Sequence, residues 1–221
     1  MSKTGIIKVL AVVIIGLIGS YIGYRISYKP KRLKIYNPTD VNPNLVSHKM
    51  KKVYKDHKIR DFKLVDQLGD TVTQTNFKGK IYVADFFFTT CKSICPKMGT
   101  QLQRVQEAYK NDTNLMILSH TVYPEEDSVP VLAAYADLYD VNPKKWMLVT
   151  GSKKEIYDLA RNYYFAVNTK GDGGKDDFIH TENFMLIDPN KRIRGYYDGT
   201  SPADVDRLIK EIKILEAEFY Q

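Results

Sequence analysis

Cysteine is nearly missing from this sequence: Cys91 and Cys95 are the only two in 221 residues. No cysteine follows the apolar N-terminal run, which excludes a lipidated lipoprotein N-terminus. A bridge between the two would close so short a loop that it would constrain the unfolded chain little, which counts against a purely structural disulfide. Two buried, inert cysteines are the plain alternative. Histidine is also rare, with four: His48, His57, His120 and His180. The Pro-x-x-x-Thr/Ser-x-x-Cys pattern that cradles a peroxide is absent, which sets a peroxidase aside. The loop 171–177 is rich in Gly and Asp but lacks the ligand spacing and distal Glu of an EF-hand, so it reads as a mobile lid beside His180.

Acidic residues are absent before Asp40. The formal net charge is +7, of which residues 1–23 carry +2 and residues 24–60 carry +9, eleven Lys or Arg against Asp40 and Asp56; by difference 61–221 carry −4. The basic character belongs to the N-terminal region and suits anionic lipid headgroups rather than nucleic acid. Residues 5–23 are apolar apart from Lys8 and a few small or interfacial positions, long enough to cross ~30 Å of hydrocarbon, and read as an uncleaved transmembrane anchor. A cleaved signal peptide is the rival: Gly16 and Gly19-Ser20 allow one, but no clear small-x-small site precedes Tyr21. Residues 24–55, with Pro30, Pro38 and Pro43, read as a basic tether that would span roughly 30 Å if flexible. The flanking charges and the positive-inside rule would keep the following domain in the cytoplasm. Large domains behind N-terminal anchors are often exported regardless, and a single-pass protein with its domain on the exported, periplasmic or equivalent side is the expectation here.

The chemistry concentrates in Thr89-Thr90-Cys91-Lys92-Ser93-Ile94-Cys95-Pro96, directly after the apolar run 81–88. Pro96 suits the first helical position, where its missing N–H costs nothing. Cys95 would then be the N-cap and Cys91 would hang in the loop before it. Both sulfurs would feel the positive end of a helix dipole, which favours thiolate over thiol. Such a pair is either a redox couple or a soft-metal site. Residues four apart on a helix have Cβ atoms ~5–6 Å apart, wider than the ~3.8 Å of a disulfide and tolerable across a metal ion. With Cys91 in the loop, closure to a disulfide stays open as well.

From about residue 56 the pattern predicts a hairpin (61–66 and 71–73), a buried strand 81–88, and a helix from Pro96 with Met98, Leu102, Val105 and Tyr109 on one face. A strand 115–118, a helix 129–139, a strand 146–149 and a helix 153–163 follow. A hairpin around Pro189-Asn190 and a final helix from Pro202 to about Glu218 close the chain. Alternating strands and helices imply an α/β fold with a central mixed sheet, the thiols at the carboxyl end of a central strand. His120 is expected at a strand end as loop chemistry, and His48 and His57 in or beside the tether as solvated. Asp85, inside an apolar strand, is either a hydrogen-bonded or neutralised carboxyl or a group that tunes the nearby thiols.

From about Asp56 onward the chain resembles the Sco (SenC) family of thioredoxin-fold copper proteins. The matching residues are Asp61-Phe62 with the Gly69 hairpin, Asp85-Phe86-Phe87-Phe88-Thr89-x-Cys91-x-x-x-Cys95-Pro96-x-Met98, Pro124-Glu125-x-Asp127, and His180-Thr181 leading to Leu186-Ile187-Asp188-Pro189. The resemblance implies a thioredoxin-like domain over 56–221 and a copper site made of Cys91, Cys95 and His180. Two thiolates and an imidazole suit Cu(I), and Cu(II) with an added ligand; zinc is chemically admissible but usually takes four ligands in a structural site. It further implies a metallochaperone for the binuclear copper centre of cytochrome c oxidase, its partner being that enzyme's copper-bearing subunit or another copper or thiol protein. The alternative is a thiol-disulfide oxidoreductase that reduces partner cysteines, with Cys91 attacking and Cys95 resolving. Two positions depart from the family: Tyr123 where Asp usually precedes Pro124, and Glu126 where Arg often precedes Asp127.

Overall fold

The computed structural model describes residues 3–27, 32–41, 56–167, 171, 173–174 and 177–220. The chain divides into two compact units, Met1–Arg32 and Leu33–Gln221. Among its described residues the first contains one helix, α1 (Lys3–Ser27). Its described side chains from 12 to 23 are exposed on every side, among them Val12, Ile15, Leu17 and Ile18. Among the described residues no helix is long and apolar enough to cross a membrane. The anchor expected over 5–23 is therefore not confirmed.

The second unit is built on one seven-stranded sheet. In chain order its elements are β1 (Lys63–Asp66), β2 (Thr71–Thr73), β3 (Ile81–Phe87), α2 (Cys95–Ala108), β4 (Leu115–Thr121), α3 (Val129–Asp137), β5 (Trp146–Thr150), α4 (Lys153–Asp158), β6 (Asn183–Ile187), β7 (Ile193–Asp198) and α5 (Pro202–Phe219). The strand order is β2-β1-β5-β4-β3-β6-β7. β3, β4 and β5 run parallel, and the flanking pairs are antiparallel. This is the mixed sheet expected from the pattern. β3 and β4 are buried along their whole length, as parallel strands covered on both faces must be.

One face carries Ile81, Val83 and Phe87 against α2 and α5, and both cysteines belong to that core. The other carries Tyr82, Ala84 and Phe86 against Ile156, Tyr157, Leu159 and Tyr164. Met98, Leu102, Val105 and Tyr109 are all buried, so the helical face read from spacing is the packed one. After Asp158, α4 widens into a π-helical turn over Leu159–Tyr163.

Three local expectations are corrected. α2 begins at Cys95, with Ile94 as its N-cap in helical backbone, so Cys95 is the first helical residue and not the cap. β4 runs on through Thr121, and His120 pairs with Phe86 inside the sheet, fully buried. His57 is buried as well: its Nε2 donates to the Tyr163 carbonyl at 2.7 Å and its ring lies 4.6 Å from that of Phe165. His48 lies outside the described residues.

Part of the stretch expected as tether pairs with the sheet edge. Tyr36 N–H donates to the Ile193 carbonyl at 2.9 Å, and the buried Arg194 guanidinium donates to the carbonyls of Leu33 and Lys34. Arg194 also pairs with Asp188 at 3.0 Å and Glu218 at 2.7 Å, joining β7, the hairpin turn and α5. Residues 42–55 lie outside the described set.

Candidate metal centre

β3 delivers the chain to the carboxyl edge of the sheet, and the loop 88–94 turns it into α2. The turn is tight: Cys91 N–H donates to the Phe88 carbonyl at 3.3 Å. It folds the Cys91 sulfur back over the start of α2, where the Cys95 N–H donates to it at 3.4 Å and the Ser93 hydroxyl lies 3.7 Å away. The first amide of a helix thus points at a sulfur, an arrangement that favours negative charge there.

The two thiols are unequal. Burial opposes ionisation of Cys91, but hydrogen bonds from the Cys95 thiol, from the Cys95 and Ser93 backbone and from the Ser93 hydroxyl outweigh it and bring Cys91 down to about 7. Burial pushes Cys95 up to about 12; a backbone hydrogen bond at Phe88 opposes this, and Cys91 and Asp85 add to it. Because only the thiolate attacks an alkylating reagent, iodoacetamide labelling of the reduced chain is expected to rise with pH through a midpoint near 7 at Cys91. Cys95 is expected to stay unlabelled at pH 8. Mass spectrometry of the labelled peptide reads both, and equal labelling of the two would contradict this asymmetry.

Beneath Cys95, Asp85 shares a small internal cavity with Cys95, Met98, Ser119, Tyr135 and Trp146. Burial pushes its carboxyl up to about 7, held back in part by the Ser119 hydroxyl, which donates to Oδ1 at 2.5 Å. Ser119 in turn accepts from the Trp146 indole at 2.8 Å. Asp85 is thus a hydrogen-bonded carboxyl held toward its neutral form, as the plainer of the two readings has it.

A second buried carboxylate fastens the loop from the other side. Asp127 accepts the Thr89 N–H at 3.2 Å, the Thr89 hydroxyl at 2.5 Å and the Thr121 hydroxyl. It clamps the loop after β4 to the root of the cysteine loop. The motif placed Asp127 near the site, but nothing in the sequence gave its partners. Thr121 and Ser119 are not named by the sequence reading, and Thr89 and Ser93, which stand in the cysteine stretch, are given no role there.

The structure brings Cys91 and Cys95 together. It places His180 on an exposed loop position with its ring 6.4 Å from that of Phe88, the residue whose carbonyl receives the Cys91 N–H. Among the described residues no three His, Cys, Asp or Glu are gathered closely enough to hold a metal. His120 is not a rival donor: it lies in the other core, its ring 4.7 Å from Phe86, with Nδ1 3.1 Å from the Asp85 carbonyl. Burial brings its imidazole down to about 4.

A family model described as SCO1/SenC matches residues 50–215. The chain belongs to the SCO1/SenC family. A SCO1 protein homolog of Bacillus subtilis (strain 168) is 30% identical over 159 residues, covering 71% of this chain and 82% of that protein. Among solved structures, BsSco is described as a member of the Sco family of cytochrome c oxidase assembly proteins in which a disulfide switch is identified. It superposes with a TM-score of 0.63 at 29% identity, over 73% of this chain and 95% of its own. Arabidopsis thaliana ScoI, solved with copper bound, superposes with a TM-score of 0.56 at 27% identity, over 73% of this chain and 98% of its own. The thioredoxin-like mixed sheet of this SCO1/SenC chain is thus the family's fold, and its thiol pair sits in a region that the family model spans.

Proposed function

We propose that this protein is a membrane-anchored, copper-binding metallochaperone that assists assembly of the binuclear copper centre of cytochrome c oxidase, with Cys91, Cys95 and His180 as copper ligands. The observation that carries the reading is the pair of juxtaposed thiols at the start of α2, where the Cys95 N–H donates to the Cys91 sulfur at 3.4 Å. A soft dithiolate fits Cu(I), and the imidazole of His180, beside the root of the same loop, supplies a third donor that also suits Cu(II) with an added ligand. Bound copper would be cargo, held by the sulfurs while Asp127 and the Phe88 turn keep the loop in place. A relative solved with copper bound and another described as an oxidase assembly protein support the reading.

In the same proposal residues 5–23 are the anchor, 24–55 a basic tether and 56–221 the copper-binding domain, on the exported side of the membrane. The support is α1 itself: its described side chains are apolar or small with no polar face from 12 to 20, which is how a helix surrounded by lipid reads. The partner would be the oxidase's copper-bearing subunit or another copper or thiol protein. Thiol-disulfide exchange, with Cys91 attacking and Cys95 resolving, is the weaker reading, although the unequal thiols would serve it.

Metal analysis of the full chain purified in detergent tests the reading. Copper is expected to bind in a single equivalent, and removing it is expected to expose both thiols to titration. A chain that takes up zinc in preference to copper, or that binds copper with both thiols still free, would contradict it.

A further inference from the structure

We propose that Phe178 is the positioning residue that orders the His180 imidazole beside the cysteine loop, acting through Phe88; this rests on the reading of His180 as a copper ligand. The segment 177–181 is fixed at alternate residues. The Asp177 carboxylate takes both Nη groups of Arg161, each at 2.6 Å, and the Gly173 N–H at 2.7 Å. Ile179 is fully buried, and the Thr181 hydroxyl donates to the Ala166 carbonyl at 2.8 Å. Phe178 and His180, the residues between these fixed points, are exposed.

Phe178 is the most exposed phenylalanine of the chain, at 43%, so core packing is not what it supplies. Its ring instead meets two others edge-on: Phe88 at 5.1 Å and Tyr123 at 6.2 Å. Phe88 meets the His180 ring at 6.4 Å. Tyr123 comes from the loop after β4, Phe88 from the start of the loop after β3, and Phe178 from the loop that carries His180, so three segments meet at one ring. Edge-to-face pairs are the favoured aromatic geometry and carry directional preference.

A ligand imidazole is normally aimed by a hydrogen bond from its second nitrogen. Among the described residues His180 makes no hydrogen bond or ion pair, and its ring contact is with Phe88. The aromatic edge therefore does the aiming, and Phe178 fixes the Phe88 ring that does it. Without Phe178 the imidazole would have to be ordered when copper binds, and the affinity would fall by that ordering cost.

The experiment compares the full chain in detergent with Phe178→Ala, Phe178→Tyr and His180→Ala. Three readouts are taken: the His180 imidazole NMR signals without copper, Cu(I) affinity against a competing chelator, and the Cu(II) electron paramagnetic resonance spectrum. Phe178→Ala is expected to move the His180 signals toward those of a free imidazole, to alter the Cu(II) spectrum and to weaken Cu(I) binding about three- to tenfold. Phe178→Tyr, which keeps the ring, is expected to restore all three. Parent-like His180 signals and affinity in Phe178→Ala would overturn the proposal. So would a lowered melting temperature with unmoved His180 signals, which would make Phe178 structural only. If His180→Ala binds copper like the parent, the ligand reading fails, and the copper-free NMR still shows whether Phe178 orders the ring.

Discussion

Replacing His180 by alanine is expected to weaken Cu(I) binding by well over tenfold, at least about 1.4 kcal/mol, and to leave the fold standing. Two thiolates alone hold Cu(I), but a third donor shapes the site and slows escape of the ion. His180 sits on an exposed loop position against Phe88, and its loop is secured by Asp177, Ile179 and Thr181 rather than by the imidazole. Losing the ring therefore removes a donor without opening a core cavity. His120 serves as the control in the form His120→Phe, which keeps a ring stacked on Phe86 and tests only the nitrogen atoms. It is expected to leave copper affinity unchanged. Thiol-disulfide exchange needs two sulfurs and no imidazole, so it should survive His180→Ala. Collapse of exchange with copper affinity intact would favour the oxidoreductase reading.

Asp127→Ala is expected to cost about 3 kcal/mol of stability, because hydrogen bonds to charged groups are worth about 1.5–3 kcal/mol and orphaned buried donors cost more still. The carboxylate is fully buried and receives the Thr89 N–H, the Thr89 hydroxyl and the Thr121 hydroxyl. Alanine would leave all three donors facing a void. Thr89 lies two residues before Cys91, so the loss should also loosen the turn that brings the Cys91 sulfur to the Cys95 N–H. Asp127→Asn keeps one acceptor and turns the other into a donor, and an intermediate loss is expected. Chemical denaturation measures the stability, and iodoacetamide labelling of Cys91 reports the loop. A change below about 0.5 kcal/mol, the size of an ordinary surface substitution, would show that the clamp carries no weight.

What was legible in the sequence follows the range of the interactions. The run 81–88 and the spacing of Met98, Leu102, Val105 and Tyr109 are local patterns, and β3 and the packed face of α2 match them. The closing hairpin was readable from Pro189-Asn190 and is formed by β6 and β7. Polar residues with distant partners were misread. His120 looked like a strand end because histidine is polar, yet Phe62, Phe86 and Tyr164 arrive from three other segments and bury it. His57 looked solvated because Tyr163 and Phe165, which enclose it, lie about a hundred residues away. The sequence puts the start of α2 one residue late because Pro96 suits the first helical position, whereas here it takes the second. Of the proposed site, the two cysteines and His180 could be named from residue type and family resemblance. The contacts of Phe88 with Phe178 and His180, and of Asp127 with Thr89, join segments distant in the chain and are not revealed by spacing.

The central claim is that the reduced Cys91–Cys95 pair is the copper site, and a Cu(I) titration of the full chain in its reduced and oxidised forms tests it most directly. Oxidation to a disulfide removes the thiolate charge and the lone pairs that bind the ion. The reduced chain is expected to take up a single equivalent of Cu(I) tightly, and the oxidised chain to show no tight binding. Equal affinities in the two forms would mean that copper, if it binds at all, binds elsewhere.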